Sequence, residues 1–381
     1  MLFSLEALEA KYGDSLLLHF GTSAKPQLVL IDGGPAGVYS ETLSKRLEAL
    51  KAARSPNGPL PIRMVMISHI DDDHINGVLQ FFRKLEQQKA DGPQLPYNIA
   101  TLWHNSFDDI LSNAAAELTA SLKPANIKAA STGASLPANL PLHRHGAIVL
   151  ASVGQGRDLR RSADNLGLTK NEGFGGLVMV PTGQKCKQVA LGGGLSFTIL
   201  GPRQDRVKDL QQKWDIEIKH LGVAQVAEFV DNSVFNLSSI IVLAKAGGRT
   251  MLLTGDARGD DILDGIKSAG LMKNNRFQVD LLKLPHHGSD RNVRLDFFQQ
   301  VTADHYVCSG NGKFGNPELN TLAMLLEARG LEAYTLHLTN REKRLETFFA
   351  NDKTPGRQYK VVFRDDTKPS VRIDLGELPP S

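Results

Sequence analysis

The amino-acid sequence predicts an α/β fold: a sandwich of two β-sheets with helices on the outer faces. Three observations lead there. A strand–loop–strand–helix unit appears in both halves of the chain, without a strict internal repeat. Apolar runs at residues 64–67, 249–254 and 279–284 read as strands, and each stops abruptly at a loop rich in His, Asp or Gly. The composition, 41% hydrophobic and 22% charged over 381 residues, is that of an ordinary globular chain with ample length for a large core. The length allows two domains, but we read residues 1–381 as one, with an insertion at about 105–195 decorating the core.

The elements follow in order. Residues 15–20 and 27–32 form paired strands joined by a Gly-Thr-Ser-Ala-Lys-Pro turn, and Asp32-Gly33-Gly34-Pro35 is a sharp loop at the second strand's end. Residues 40–53 have helical spacing, with Leu43, Leu47 and Leu50 on one face. A Pro/Gly-rich stretch at 55–61 leads into the strand at 64–67, and residues 78–85 continue as a helix. Residues 97–104 make a strand ending in His104. The pattern weakens to about residue 195, with helical signals at 108–122 and 157–166; this insertion is expected to form a wall or lid over the site. A strand at 195–202, a polar helical stretch at 203–230 and a hairpin of strands at 239–244 and 249–254 turning on Ala246-Gly247-Gly248 come next. A helix at 260–269, the strand at 279–284, a helix at 294–301, a strand at 303–308, a helix at 318–329 and closing strands complete the chain.

Composition also excludes. Net charge is +3, from 44 basic and 41 acidic residues, too mild to announce a nucleic-acid or membrane surface, so any basic patch must be local. Cys186 and Cys308 are far apart, which argues against a disulfide framework or a thiolate zinc site and fits a reducing compartment. The first residues lack a basic segment followed by an apolar run, and no stretch approaches the roughly 18 apolar residues of a membrane span. The expectation is a cytoplasmic protein with no membrane partner.

The chemistry concentrates in residues 67–77, Ile-Ser-His-Ile-Asp-Asp-Asp-His-Ile-Asn-Gly, where His69, Asp71, Asp73 and His74 fall within six residues. In extended backbone His69, Asp71 and Asp73, at i, i+2 and i+4, point to one side, while His74 begins the helix and swings in from the other flank. An acidic turn alone is commonplace; flanked by two histidines after a buried strand, it is a metal-ligand cluster. Imidazole suits zinc, and the carboxylates also admit manganese. Asp256 ends another strand, after a glycine that lets the chain turn sharply. His286 and His287 end a third, before Gly288. Adjacent histidines diverge in extended backbone, so one is expected to bind metal and the other substrate. Strand ends are where layered α/β folds assemble sites.

The set His-Ile-Asp-Asp-Asp-His, Leu-Leu-Thr-Gly-Asp-Ala and Leu-Lys-Leu-Pro-His-His-Gly-Ser resembles the metallo-β-lactamase superfamily, and in particular the soluble hydrolase domain of the ComEC/Rec2 competence proteins. The resemblance spans roughly residues 1–104 and 195–325. It implies a four-layer αββα sandwich, one or two Zn²⁺ or Mn²⁺ ions at one edge of the sheets, and hydrolysis, often of phosphodiesters. Asp71 stands where the superfamily pattern has its second histidine, as is usual in ComEC-like members. Two later histidine positions are also missing: residues 231–239 carry Asn232 and Asn236 instead, and residues 314–320 carry none. One metal site, Asp73, His74, Asp256 and His286, is thus complete. A second, His69, Asp71 and Asp256, is short of ligands, and His104 is the candidate to complete it ahead of His143 and His145.

A bound Zn²⁺ lowers the pKa of its water to about 7, giving a hydroxide nucleophile at neutral pH. Asp73 and His287 are the expected catalytic residues, His287 protonating the leaving group or binding an oxyanion. Asn236, Lys283 and Ser289 are the expected substrate contacts, with Arg291 and Arg294 nearby. The function expected is a phosphodiesterase or nuclease acting on nucleic acid or a nucleotide. The alternatives are a hydrolase of a small lactone, lactam, thioester or cyclic nucleotide, and a non-catalytic metal-binding component of a bacterial multi-protein system.

Overall fold

The structure, a computed structural model, describes residues 1–92, 94–106, 144–213 and 238–376. Along the chain run β1 (Leu2–Leu8), β2 (Leu16–Thr22), β3 (Lys25–Ile31), α1 (Ser44–Arg54), β4 (Leu60–Ile62), β5 (Met64–Ile67), α2 (Asp72–Asp91), β6 (Tyr97–Ile99) and β7 (Thr101–His104). Next come α3 (Arg144–Leu166), β8 (Thr169–Lys170), β9 (Gln188–Gly192), β10 (Leu195–Gly201), α4 (Gln204–Lys213), β11 (Ile241–Ala246), β12 (Arg249–Leu253), α5 (Gly259–Ser268) and β13 (Phe277–Lys283). The chain closes with α6 (Leu295–Gln300), β14 (Val301–Cys308), α7 (Leu319–Arg329), β15 (Tyr334–Leu338), α8 (Lys343–Asn351), β16 (Tyr359–Phe363) and β17 (Ser370–Asp374).

Two sheets face each other. The first has the order β17-β1-β2-β3-β5-β7-β8 and the second β16-β15-β14-β13-β12-β11-β10-β9. Side-chain alternation along each strand generates the layers. Met64 and Met66 of β5 point into the core between the sheets, while Val65 and Ile67 point out to the helices. Val29 and Ile31 of β3 face inward and Leu28 and Leu30 outward. On the other side, Met251 and Leu253 of β12 meet the same central core, and Leu252 packs outward with Ile262, Phe297 and Leu322. Three apolar cores between four layers make this an αββα sandwich, with α1, α2 and α3 outside the first sheet and α5, α6 and α7 outside the second.

Each sheet is antiparallel at one side and parallel at the other: β3, β5 and β7 run parallel in the first, and β12 through β16 in the second. The carboxyl ends of β3, β5, β12, β13 and β14 therefore lead into neighbouring loops at one edge of the sandwich. The strand expected at 97–104 is two, β6 pairing with β4 in a small separate sheet and β7 joining the first sheet. The N-terminal residues, for which no strand is read from the sequence, are β1, fully buried between β2 and β17. The described part of the insertion adds to the scaffold: α3 packs on α2, β8 pairs with β7, and β9 pairs with β10. The helical signal at 108–122, His143, most of 203–230 and both Asn232 and Asn236 lie outside the described residues. Among the described residues, no helix is long and apolar enough to cross a membrane.

Candidate metal centre

The helix α2 brings the first ligands. Asp71 is its N-cap, accepting from the backbone N–H of Asp72 at 2.9 Å, and Asp72 and Asp73 lie in the first turn, where acidic side chains complement the helix dipole. The i, i+2, i+4 alignment expected of His69, Asp71 and Asp73 thus does not extend through the segment, because the backbone is already helical at Asp72. Asp71 faces the cavity but stands outside the tight ligand groups, and Asp73 reaches the centre from the helix.

This helix start is clamped by two glycine contacts. A Cβ on Gly13 would fall 2.0 Å from the Asp73 carbonyl oxygen, and one on Gly77 would fall 1.9 Å from that of Gly33. Backbone hydrogen bonds fill the space side chains would need: Asp14 N–H donates to Asp73 O (3.1 Å), Gly33 N–H to His74 O (2.7 Å), and Gly77 N–H to Gly34 O (3.0 Å).

His74 is fully buried, and its Nδ1 lies 3.0 Å from Asp32 Oδ2. Asp32 also accepts from the Ser68 N–H at 2.8 Å and from the Ser68 hydroxyl. An Nδ1–H held by a carboxylate leaves Nε2 as the ligating atom. That Nε2 lies 3.2 Å from Asp256 Oδ1 and 3.8 Å from Asp73 Oδ1. Asp256 comes from the second sheet, after Gly255 (φ +51°), with its backbone held by the Ser239 hydroxyl and the Asn292 amide.

The loop after β13 supplies two more histidines. His286 (φ 46°) and His287 (φ 52°) both occupy the left-handed region, which side-chain-bearing residues rarely adopt and which clusters at functional sites. The backbone is therefore not extended here, and both rings turn toward Asp256. His286 Nε2 lies 3.5 Å from Asp256 Oδ2, with its Nδ1 2.8 Å from Asn292 Oδ1. His287 is the deeper: its Nε2 lies 3.3 Å from Asp73 Oδ2 and 3.7 Å from Asp256 Oδ1, and its Nδ1 faces Ser309 and Asp14.

Among the described residues two groups of ligand atoms, each within 4.8 Å, result: Asp14, His74, Asp256 and His287; and His69, Asp73 and His74. His287 thus sits in a ligand group in which the sequence places His286. Asp14 and Asp32 enter the centre unforeseen. Their signals were a short Tyr-Gly-Asp-Ser turn before an apolar strand and an Asp-Gly-Gly turn after one.

The residue types and their electrostatics fit a divalent ion. His74 Nε2, His287 Nε2 and Asp256 Oδ1 are buried without a hydrogen-bond partner and converge on one another. Burial disfavours charge on His74, yet Asp256, Asp73 and Asp32 outweigh it and hold its pKa well above the ordinary range. Burial likewise opposes a charged His287, but Asp14 and Asp256 raise it to about 9. Asp256 is held far below the usual carboxylate range: burial works against this and the surrounding histidines prevail. His69, with burial dominant, falls to about 4. A bound cation answers the same carboxylate field with neutral histidines, the form in which imidazole ligates.

Two expected residues fall elsewhere. Lys283 is 1% exposed, its Nζ 2.9 Å from Asp14 Oδ2 and donating to Leu284 O at 3.1 Å. It neutralises Asp14 behind the centre and does not reach the cavity, so it is no substrate contact. His104 points out from the first sheet beneath α3, its Nε2 3.3 Å from Gly156 O, because on β7 it shares a face with Leu102, while Trp103 takes the inner one. Burial, with Arg160 and Lys170 nearby, lowers its pKa to about 3. It completes no metal site with the cluster. Ser289 does line the cavity, with its hydroxyl given to Glu318 at 3.2 Å.

Above the cluster lies a cavity of about 480 Å³, walled by Asp71, Asp73, His287, Arg258, Arg291 and Lys313 among others. None of its walls comes from the described part of the insertion. Larger clefts, between α7 and α8 (about 900 Å³) and beside β7 (about 670 Å³), hold neither ligand group.

No protein-family model matches the chain, and no curated protein matches it. Among solved structures, the metallo-β-lactamase fold protein YhfI from Bacillus subtilis aligns over 97% of this chain and 99% of that chain, with a TM-score of 0.39 and 11% sequence identity.

Proposed function

We propose that the chain is a metal-dependent hydrolase of the metallo-β-lactamase superfamily that cleaves phosphodiesters. The observation that carries this is the convergence of His74 Nε2, His287 Nε2, Asp73 and Asp256 beside a cavity that Asp73, Asp256 and His287 line together with Arg258, Arg291 and Lys313. His74, Asp256 and His287 would hold the first ion with Asp73, since Asp14 of the same group is tied to Lys283, and His69 with Asp73 and His74 flanks a second position; nitrogen and oxygen ligands suit Zn²⁺ or Mn²⁺. A bound ion supplies a water that is nucleophilic at neutral pH and positive charge for the reacting oxygens.

The chain's own residues do the rest. Asp32 fixes the His74 ring, and Asn292 fixes the His286 ring. His286 is the more exposed histidine of its pair, beside the cavity, and is placed to give a proton to a leaving oxygen. Arg291 and Lys313 line the cavity, where with a bound ion they would offset Asp71, Asp72 and Glu318 and hold an anionic ester; Arg258 also lines it but is paired with Asp260. The acidic Asp-Asp-Asp-His signature and its likeness to the ComEC/Rec2 hydrolase domain favour a phosphodiester over a lactam.

The test is metal content by elemental analysis together with turnover of bis(p-nitrophenyl) phosphate in Mn²⁺ or Zn²⁺. We expect at least one equivalent of metal and hydrolysis that falls by about 10³-fold or more in Asp73→Ala, a loss typical of removing a group that acts in the transition state. Turnover of lactones or nitrocefin without phosphodiester cleavage would replace this reading with the small-molecule one. Metal binding without any turnover would leave a binding component.

A further inference from the structure

The loop after β14 contributes Gly310, Lys313, Phe314 and Asn316 to the lining of the cavity beside the acidic centre. Phe314 is 58% exposed and is the one aromatic among the large exposed hydrophobic side chains of the described residues. It meets Tyr12 edge to face, ring centroids 4.9 Å apart. The Lys313 ammonium lies 4.2 Å from the Tyr12 ring centroid and 5.2 Å from that of Phe314. All three line the cavity that holds Asp73 and His287.

The loop is built to hold this position. Gly310, Gly312 and Gly315 take positive φ, Gly312 N–H donates to Asn316 O at 3.0 Å, and Glu318 N–H donates to Gly288 O at 3.0 Å. The Asn316 side-chain amide donates to His286 O at 3.2 Å, which ties the platform to the histidine turn. An exposed phenylalanine that merely plugged the loop would turn inward. This one stays exposed in the cavity lining, next to a cation.

Resting on the phosphodiester reading above, we infer that Phe314, braced edge to face by Tyr12, is the stacking surface for a nucleobase, with Lys313 taking the adjoining phosphate, so that the substrate is a nucleotide ester and Phe314 determines that specificity. Aromatic side chains stack every base because every base has a π-face, and the cation adds to the contact.

The test is calorimetric titration of the full chain as purified with thymidine 5′-monophosphate and with 2-deoxyribose 5-phosphate, which carries an anomeric hydroxyl in place of the base. We expect the nucleotide to bind about tenfold more tightly, in line with one base–aromatic stack. Phe314→Ala should bind the two equally, and Phe314→Trp should keep the preference. Lys313→Ala should weaken both ligands. Equal affinities in the unsubstituted chain, or a preference that survives Phe314→Ala, would overturn the inference while cleavage of bis(p-nitrophenyl) phosphate left the phosphodiester reading standing. Absence of that cleavage removes the reading, and the inference with it.

Discussion

Asp32 supplies no ligand atom, yet the direction in which His74 ligates depends on it. Its carboxylate, buried and raised in pKa by that burial, accepts from His74 Nδ1 at 3.0 Å and from Ser68. Asp32→Asn keeps the shape and removes the charge, so the imidazole loses both its fixed tautomer and part of its basicity. Replacing such an outer partner costs about 10–100-fold in metal affinity, and competition against a chromophoric chelator should read that loss with the fold intact by circular dichroism. Unaltered affinity would mean that Asp32 only packs. The residues that touch the cavity were legible in the sequence because each combines a ligating side chain with an apolar strand just before it: His69 after β5, Asp256 after β12, His287 after β13. Asp14 and Asp32 were not, since a turn aspartate looks the same whether it faces solvent or a histidine from 42 positions further on. Lys283 misled for the converse reason. Its place inside Leu281-Leu282-Lys283-Leu284 was the sign of a buried charge with a buried partner, and only the packing names that partner as Asp14.

At the scale of elements, the seating of α2 governs the centre. Asp73 and His74 are delivered by its first turn, and that turn sits where it does because Gly13, Gly33 and Gly77 allow backbone to touch backbone. Gly77→Ala is favourable for an isolated helix, but here the added methyl would be 1.9 Å from Gly33 O, so α2 must move away from the loop that carries Asp32. We expect a destabilisation of roughly 3 kcal/mol, the upper part of the overpacking range, in urea unfolding, accompanied by weaker metal binding. A stabilised variant would show that the helix has slack there. The same scale shows where sequence patterns fail. β1 reads Leu-Phe-Ser-Leu-Glu-Ala-Leu, rich in helix formers, and it is a strand because β2 and β17 offer it hydrogen-bonding partners on both sides. The helices with apolar spacing and the strands with uniform apolar runs were legible because burial on one face or both leaves a period. The left-handed turn at His286 and His287 leaves none.

Across the whole molecule, the centre joins halves that the sandwich otherwise holds by its apolar core and a few polar contacts, such as the Lys283–Asp14 pair and the Ile240 N–H bond to Ser68 O. Asp73, His74 and His69 belong to the first sheet's side, Asp256 and His287 to the second, and the ligand atoms lie at the edge where the strands of both sheets end. The like charges of Asp73 and Asp256 repel across this seam, and protonated His74 and His287 relieve them in the absence of a stronger cation. An ion bound there replaces that relief and cross-links the two sheets. Binding to the folded state alone stabilises by mass action, about 2.7 kcal/mol at a free-ion concentration 100 times Kd. Thermal unfolding should therefore move upward on addition of Zn²⁺ or Mn²⁺ and downward with a chelator. In Asp256→Asn, which weakens the ligand shared by both sides of the seam, the response should shrink sharply. Because the unfolded chain cannot assemble ligands from residues 69–74 and 256–287 at once, the shift tests the seam itself: a Tm insensitive to metal in the unsubstituted chain would mean that the two halves meet without an ion between them.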